Sequence, residues 1–374
     1  MRMSTRTCAP LALAAVLAAT VACTDTTGGQ DTAAPANEDA EGAGEFVDGK
    51  LERLADGFPS QPLTIMVLDE GGSDDGLYAR QLQKAASALS PVDIRVLDRP
   101  DFGTYGIWEA LDFIAGEKGG ADGHILPVVT VPGSTIDLIG TPVVEELGVT
   151  MEDLNHVLIT ELVPYLITTR ADAPWGDSME EFIAYAKENP GEVRYISRGP
   201  GAGPDIAFQY YRIAGDFEVN TSVGGSHTEI LTAIGAGQGD VAVSLPGAAV
   251  PFIEDERVLV LGCTLEQDPC TGPWGEAPAA SGVVGAEPDQ WGSNRGVVVS
   301  PETPDEHREW LEKLLLEAVE DEEFKEARMT IPGLTLKTLD NEEALQVQKE
   351  GYDAAFEILE ELGRVDPTVV KAKG

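Results

Sequence analysis

Basic residues are scarce in this chain. It has 25 lysines and arginines against 65 aspartates and glutamates in 374 residues, a formal net charge of −40. Binding to a phosphate backbone needs a basic surface, so a nucleic-acid partner is excluded. The acids run through the whole chain rather than a tail. That fits a hydrated surface working in high salt or an alkaline medium, and fits compositional drift in an acidic exported proteome equally well. Histidine is as sparse: His124, His156, His227 and His307 show no ligand spacing, and no metal site is expected. Past residue 22 no apolar run approaches the ~20 residues that a spanning helix needs. A Gly-x-Ser-x-Gly elbow is missing, and Gly199-Pro200-Gly201-Ala202-Gly203 is neither a P-loop nor a dinucleotide fingerprint. The sequence therefore offers no catalytic residue and calls for no cofactor, and an enzyme is not expected. A secreted hydrolase would need a nucleophile pattern that the chain does not display.

What is present begins with an export signal. Arg2 and Arg6 precede an apolar run from Leu11 to Ala22, too short to span a bilayer. The run ends Thr20-Val21-Ala22-Cys23, which resembles a bacterial lipobox with threonine in the usual leucine position. The resemblance implies cleavage before Cys23 (signal peptide 1–23) and a lipid on that cysteine. An ordinary signal with an incidental cysteine is the alternative. Residues 24–57 begin with Thr, Gly, Ala, Asp and Glu and almost no large apolar side chain up to about residue 50, the composition of a flexible acidic tether. Of the remaining cysteines, Cys8 lies in the signal, and Cys263 and Cys270 are expected to pair as a disulfide in an oxidising compartment.

From residue 63 the chain alternates strand and helix, the signature of an α/β fold with largely parallel sheets. Leu63 to Leu68 is a buried strand, Leu77 to Leu89 a helix, and Ile94 to Leu97 the next strand. Ser178-Met-Glu-Glu181 and Ser226-His-Thr-Glu229 read as capping boxes, and Thr303 as the cap of a further helix with Pro304 at its first position. Val193–Ser197 and Val241–Ser244 read as strands, residues 264 to 292 as irregular, and the stretch to Leu362 as mostly helical.

Three strand-to-helix loops are rich in glycine: Gly71-Gly72-Ser73-Asp74, Ser197 to Asp205, and Gly224-Gly225-Ser226. Glycine permits close backbone approach, and a helix N-terminus offers free N–H groups to an anion. Each loop alone is also an ordinary tight turn. Together they point to a ligand site at the carboxyl ends of strands.

The order of segments resembles the solute receptors of the tripartite tricarboxylate transporters, the Bug-type extracytoplasmic receptors, over about residues 58 to 365. The motifs are Pro62 to Asp74, Asp98-Arg-Pro-Asp-Phe-Gly-Thr-Tyr-Gly106, Ala121-Asp-Gly-His124, Phe182 to Gly191, Ser197 to Asp205, Gly224 to Val241, and Ser300-Pro-Glu-Thr-Pro304. The resemblance implies a two-lobed, periplasmic-binding-protein-like (type II) fold with mixed, mainly parallel sheets and a helical C-terminal region. Residues 58–164 plus 285–374 would form lobe 1 and residues 165–284 lobe 2. It implies capture of a small solute, a carboxylate held by backbone amides and hydroxyls, for a pair of membrane permease subunits. A sensor presenting its ligand to a membrane signalling protein is the alternative.

The expected site comprises Glu70, Gly71, Gly72, Ser73 and Asp74 on one lobe. On the other it comprises Ser197, Gly199, Gly201, Ala202, Asp205, Gly224, Gly225 and Ser226. Five positions depart from the family pattern: Glu70 stands for alanine, Asp205 for histidine, Ala202 for serine, and Ser222-Val223 for Tyr-Lys. Glu70 and Asp205 each either serve structure or face the pocket. An acid in the pocket would favour an amino-bearing acid over a plain tricarboxylate.

Overall fold

Leu63–Val67 (β1) is apolar on both faces because both are covered, as expected of a strand inside an α/β sheet. The computed structural model describes residues 44–69, 73–102, 106–118, 120–264, 270–286, 291–367 and 369. After β1 come α1 (Asp74–Leu89), β2 (Ile94–Asp98), α2 (Ile107–Ala115), β3 (Ile125–Val131), α3 (Gly133–Gly140) and β4 (Asn155–Pro164). Next are β5 (Leu166–Arg170), α4 (Met179–Glu188), β6 (Arg194–Ser197), α5 (Gly203–Ala214), β7 (Asn220–Val223), α6 (His227–Gly235), β8 (Val241–Ser244), α7 (Pro246–Glu254) and β9 (Val258–Cys263). The chain ends through β10 (Gly292–Val299), α8 (Asp305–Val319), α9 (Glu322–Arg328), β11 (Thr335–Leu339) and α10 (Asn341–Glu361).

These strands form two sheets, one per lobe. The first has order β11-β4-β10-β3-β1-β2 and the second β9-β5-β8-β6-β7. Strands joined by a β-α-β unit pair in parallel: β1 with β2 and β3, β6 with β7 and β8. Strands that return from the other lobe pair antiparallel, as β10 does with β3 and β4, and β5 with β8 and β9. The two-lobed, mixed-sheet α/β architecture is therefore as the sequence reads, but the sheets are not mainly parallel: four pairings are parallel and five antiparallel, because the strands that cross between lobes run against their neighbours. Tyr165 alone separates β4 in one sheet from β5 in the other.

Local signals explain most helix starts. Ser73 accepts from the Gly76 amide at 3.1 Å, so α1 begins at Asp74 and not at Leu77. Its buried face is Tyr78, Ala79, Leu82, Ala85 and Ala86. The Ser226–Glu229 box forms in both directions. At Ser178 only one half forms: the Glu181 amide bonds its Oγ at 3.1 Å, while the Ser178 hydroxyl donates to Glu180. The cap expected from Thr303 is not made. Pro304 itself occupies the cap position of α8, and Thr303 Oγ1 is buried with no partner. The stretch read as mostly helical contains β11, and the stretch read as irregular contains the hairpin Cys270–Gly272/Gly275–Ala277 and a short helix at Ala280–Val284. Cys263 and Cys270 are joined by a disulfide. No described helix is long and apolar enough to cross a membrane.

Candidate functional site

A cavity of about 730 Å³ opens between the lobes, a size that suits a small molecule. Five helix N-termini reach it: those of α1 (Ser73, Asp74, Asp75), α3 (Gly133), α5 (Ala202, Gly203, Pro204), α6 (Ser226, His227, Thr228) and α7 (Leu245, Gly247, Ala248). The first amides of a helix have no intrahelical acceptor, and the dipole there is positive, so the site is biased toward anions.

The two walls use that bias differently. On the second lobe, Arg198 lies at the cavity and has no hydrogen-bond or ion-pair partner among the described residues. Beside it is His227. Burial, with the Arg198 charge adding to it, pushes its pKa down to about 3, so the ring is neutral at physiological pH. Its Nδ1 is buried without a partner. Tyr165, at the crossing between the sheets, also lines the cavity, and burial raises its pKa to about 12, which keeps the phenol protonated.

On the first lobe the cation at the cavity is already engaged by the protein's own acids. Arg295, in β10, is buried at 2% side-chain exposure. Its Nε donates to Asp75 Oδ1 at 2.7 Å, its Nη2 to Asp74 Oδ2 at 2.6 Å, and its Nη1 to Glu161. Glu161, fully buried, also accepts two bonds from Arg328, at 2.7 and 2.8 Å. Both guanidinium groups lie over the Tyr78 ring at 5.7 and 5.4 Å. Burial opposes the charge on Arg295, but Asp75, Glu161 and Asp74 outweigh it and raise its pKa. Burial raises the pKa of Asp75, with Arg295 partly offsetting the effect.

Of the residues expected from the sequence, Ser73, Asp74, Ala202 and Ser226 line the cavity. Glu70, Gly71 and Gly72 lie outside the described residues. Asp205 and Ser197 are not at the cavity surface. Asp205 is 1% exposed; it accepts from the Ser197 hydroxyl at 2.8 Å and pairs with Arg364 at 3.1 Å. Ser197 Oγ also accepts the Gly199 amide, so that N–H is not offered to a ligand. The acid in the first turn of α5 is committed to Ser197 and Arg364, which corrects the idea that Asp205 faces a solute. Gly199 and Gly201 turn the loop with φ of 132° and 88° and do not line the cavity. Gly224 and Gly225 serve packing: a Cβ would fall 2.5 Å from Ile230 at the first and 1.9 Å from the capping Glu229 carboxylate at the second.

The residues that sequence reasoning missed are Arg198, His227, Asp75, Arg295 and Tyr165. Arg198 had a signal: a cation inside a glycine-rich loop with no acid beside it until Asp205, in a chain short of cations. Arg295 had one too, as a charge just before an apolar strand run, where burial demands acidic partners.

A family model described as "Tripartite tricarboxylate transporter family receptor" matches residues 117–363. A Cupriavidus necator protein described as "UPF0065 protein in gbd 5'region" is 28% identical over 149 residues, 39% of this chain and 41% of its own length. The chain's match thus spans under half the length of the curated relatives. Among solved structures, a TctC solute binding protein from Polaromonas aligns with a TM-score of 0.65 at 19% identity, over 81% of this chain and 99% of that one. MatC from Rhodopseudomonas palustris, solved with bound malate, aligns with a TM-score of 0.61 at 18% identity, over 81% and 100%. At such identities the likeness is one of fold. The family match runs from before β3 past the end of α10 and takes in both crossings between the lobes. It establishes the family: the chain belongs to the tripartite tricarboxylate transporter family receptors.

Proposed function

We propose that this protein is an extracytoplasmic receptor, anchored by a lipid on Cys23, that captures a small carboxylate or amino-bearing acid in the inter-lobe cavity and delivers it to membrane permease subunits. The observation that carries the reading is the second-lobe wall, where an unpaired Arg198 and the N-termini of α5, α6 and α7 surround a space of small-molecule size. A guanidinium with free donors and a ring of first-turn amides is an arrangement that holds a carboxylate. MatC, which shares the fold, was solved with a dicarboxylate, malate, and this supports the ligand class. The family itself supports the partner: its receptors are described with a tripartite transporter.

A thermal-shift screen over carboxylates identifies ligands, since a ligand at 100 times its dissociation constant adds about 2.7 kcal/mol of stability. Calorimetry with the best hit then compares the wild type with Arg198→Gln. Losing a charge-assisted bond of about 1.5–3 kcal/mol weakens binding tenfold or more. Equal affinity in the two proteins rules out Arg198 as the anchor, and no response to any carboxylate rules out the receptor reading.

A further inference from the structure

The cavity walls carry opposite charge. Every second-lobe residue that lines it among the described residues is neutral or cationic, and Arg198 is unpaired. The first-lobe wall presents three carboxylates, Asp69, Asp74 and Asp75, and one cation, Arg295. Each of that cation's three nitrogens already donates to an internal carboxylate, so its charge is shared among Asp74, Asp75 and Glu161 before a solute arrives. The network is also unbalanced: Asp74 and Asp75, at its edge, and the buried Glu161 stand against two buried guanidinium groups, Arg295 and Arg328. The first turn of α1 carries two acids, Asp74 and Asp75, so the positive end of its dipole already faces the protein's own negative charge. Asp75 Oδ1 is bonded to Arg295, while Oδ2 has no hydrogen-bond partner among the described residues.

We propose that Asp75 is the specificity-determining residue of this cavity, and that the solute carries one carboxylate, held at the Arg198 wall, and a protonated amine directed at Asp75 Oδ2. This rests on the carboxylate-receptor reading above. A solute with a carboxylate at each end would bring its second one to a wall where, among the described residues, three acids stand against one shared cation, and like charges at close range disfavour binding. Replacing that second carboxylate by an ammonium group turns the repulsion into a charge-assisted hydrogen bond. Burial makes the charge on Asp75 costly, Arg295 offsets that only in part, and a second cation offsets it further.

The test uses the exported, full-length protein and calorimetry with matched probes at three chain lengths: succinate against 3-aminopropanoate, glutarate against 4-aminobutanoate, and adipate against 5-aminopentanoate. The corresponding plain alkanoates serve as controls. The expected result is an amino acid that binds at least tenfold more tightly than its dicarboxylate at one or more lengths. Asp75→Asn should then reduce that preference tenfold or more and leave the alkanoate within twofold. Dicarboxylates that bind as tightly as their amino partners at all three lengths overturn the inference, and so does an Asp75→Asn variant that weakens every probe alike. If dicarboxylates win and Arg198→Gln abolishes their binding, the receptor reading stands and this inference alone falls. If no probe of any kind binds, the receptor reading fails and takes the inference with it. The wild-type comparison decides the matter even where Asp75→Asn does not fold.

Discussion

Arg364 lies just past the end of α10 and places its Nη1 3.1 Å from Asp205 Oδ2, in the first turn of α5. The other Asp205 oxygen takes the Ser197 hydroxyl, so this acid ties the C-terminal segment to the loop after β6. Asp205→Asn should therefore lower stability and leave solute affinity within about twofold. Breaking a buried pair costs up to about 3–5 kcal/mol, and the retained hydrogen-bonding capacity of asparagine puts the expected loss near 1–3 kcal/mol. Urea unfolding and calorimetry on the same variant separate the two effects. A tenfold loss of affinity at unchanged stability would return Asp205 to the binding site.

His156 gives a pH dependence. It is fully buried, donates from Nε2 to Gln348 Oε1 at 2.6 Å, and has no partner at Nδ1. Burial pushes its pKa down to about 4, with the Gln348 bond opposing. The folded state thus resists a proton that the unfolded chain accepts near pH 6.5, so the contribution is complete above pH 6.5 and is lost as pH falls toward 4. The full shift corresponds to roughly 3 kcal/mol. His156→Gln should flatten the fall in urea midpoint between pH 6.5 and 4. Parallel curves for the two proteins would show that His156 does not control it.

The net charge of −40 sets a salt dependence. Self-repulsion opposes the compact state, and the Debye length falls from about 10 Å at 0.1 M to about 3 Å at 1 M. The melting temperature should rise between those concentrations of sodium chloride. A flat or falling curve counts against repulsion as a significant destabilising effect.

Cys23 lies outside the described residues, and the lipid proposed for it is tested by fractionation. Cys23→Ser should move the protein from membrane to soluble fraction in a host that processes lipoproteins, with a mass difference equal to the missing lipid. Membrane retention at unchanged mass would reject the anchor.

How far the fold was legible follows from what each signal encodes. The alternation of β-branched runs with capped amphipathic helices defined β1, α1, β2 and β8 to within a few residues, because burial and caps are local. The short strand β11 escaped because Thr335–Leu339 is only partly buried and lies between two helical stretches. At the site, the three glycine-rich loops were visible as loops, but which way each side chain points was not. Asp205 and Arg198 belong to the same loop region, and the sequence drew attention to the acid. The structure turns the acid inward toward Arg364 and leaves the cation at the cavity. Arg295 needed partners at positions 74, 75 and 161, a long-range arrangement that no local pattern announces.

The core beneath the five-stranded sheet is not assembled from a continuous stretch of chain. Ile136 and Ile139 of α3 and Ala355, Ile358 and Leu359 of α10 pack into it with Phe182, Phe208 and Tyr211. A recombinant fragment of residues 165–284, the second lobe as the sequence divides it, would lack those five side chains. It would expose the apolar floor that they cover and would be prone to aggregate. Dissection of this protein into separately expressed halves is therefore precluded by its own wiring. A circular permutant that keeps α3 and α10 attached is the route to studying either half.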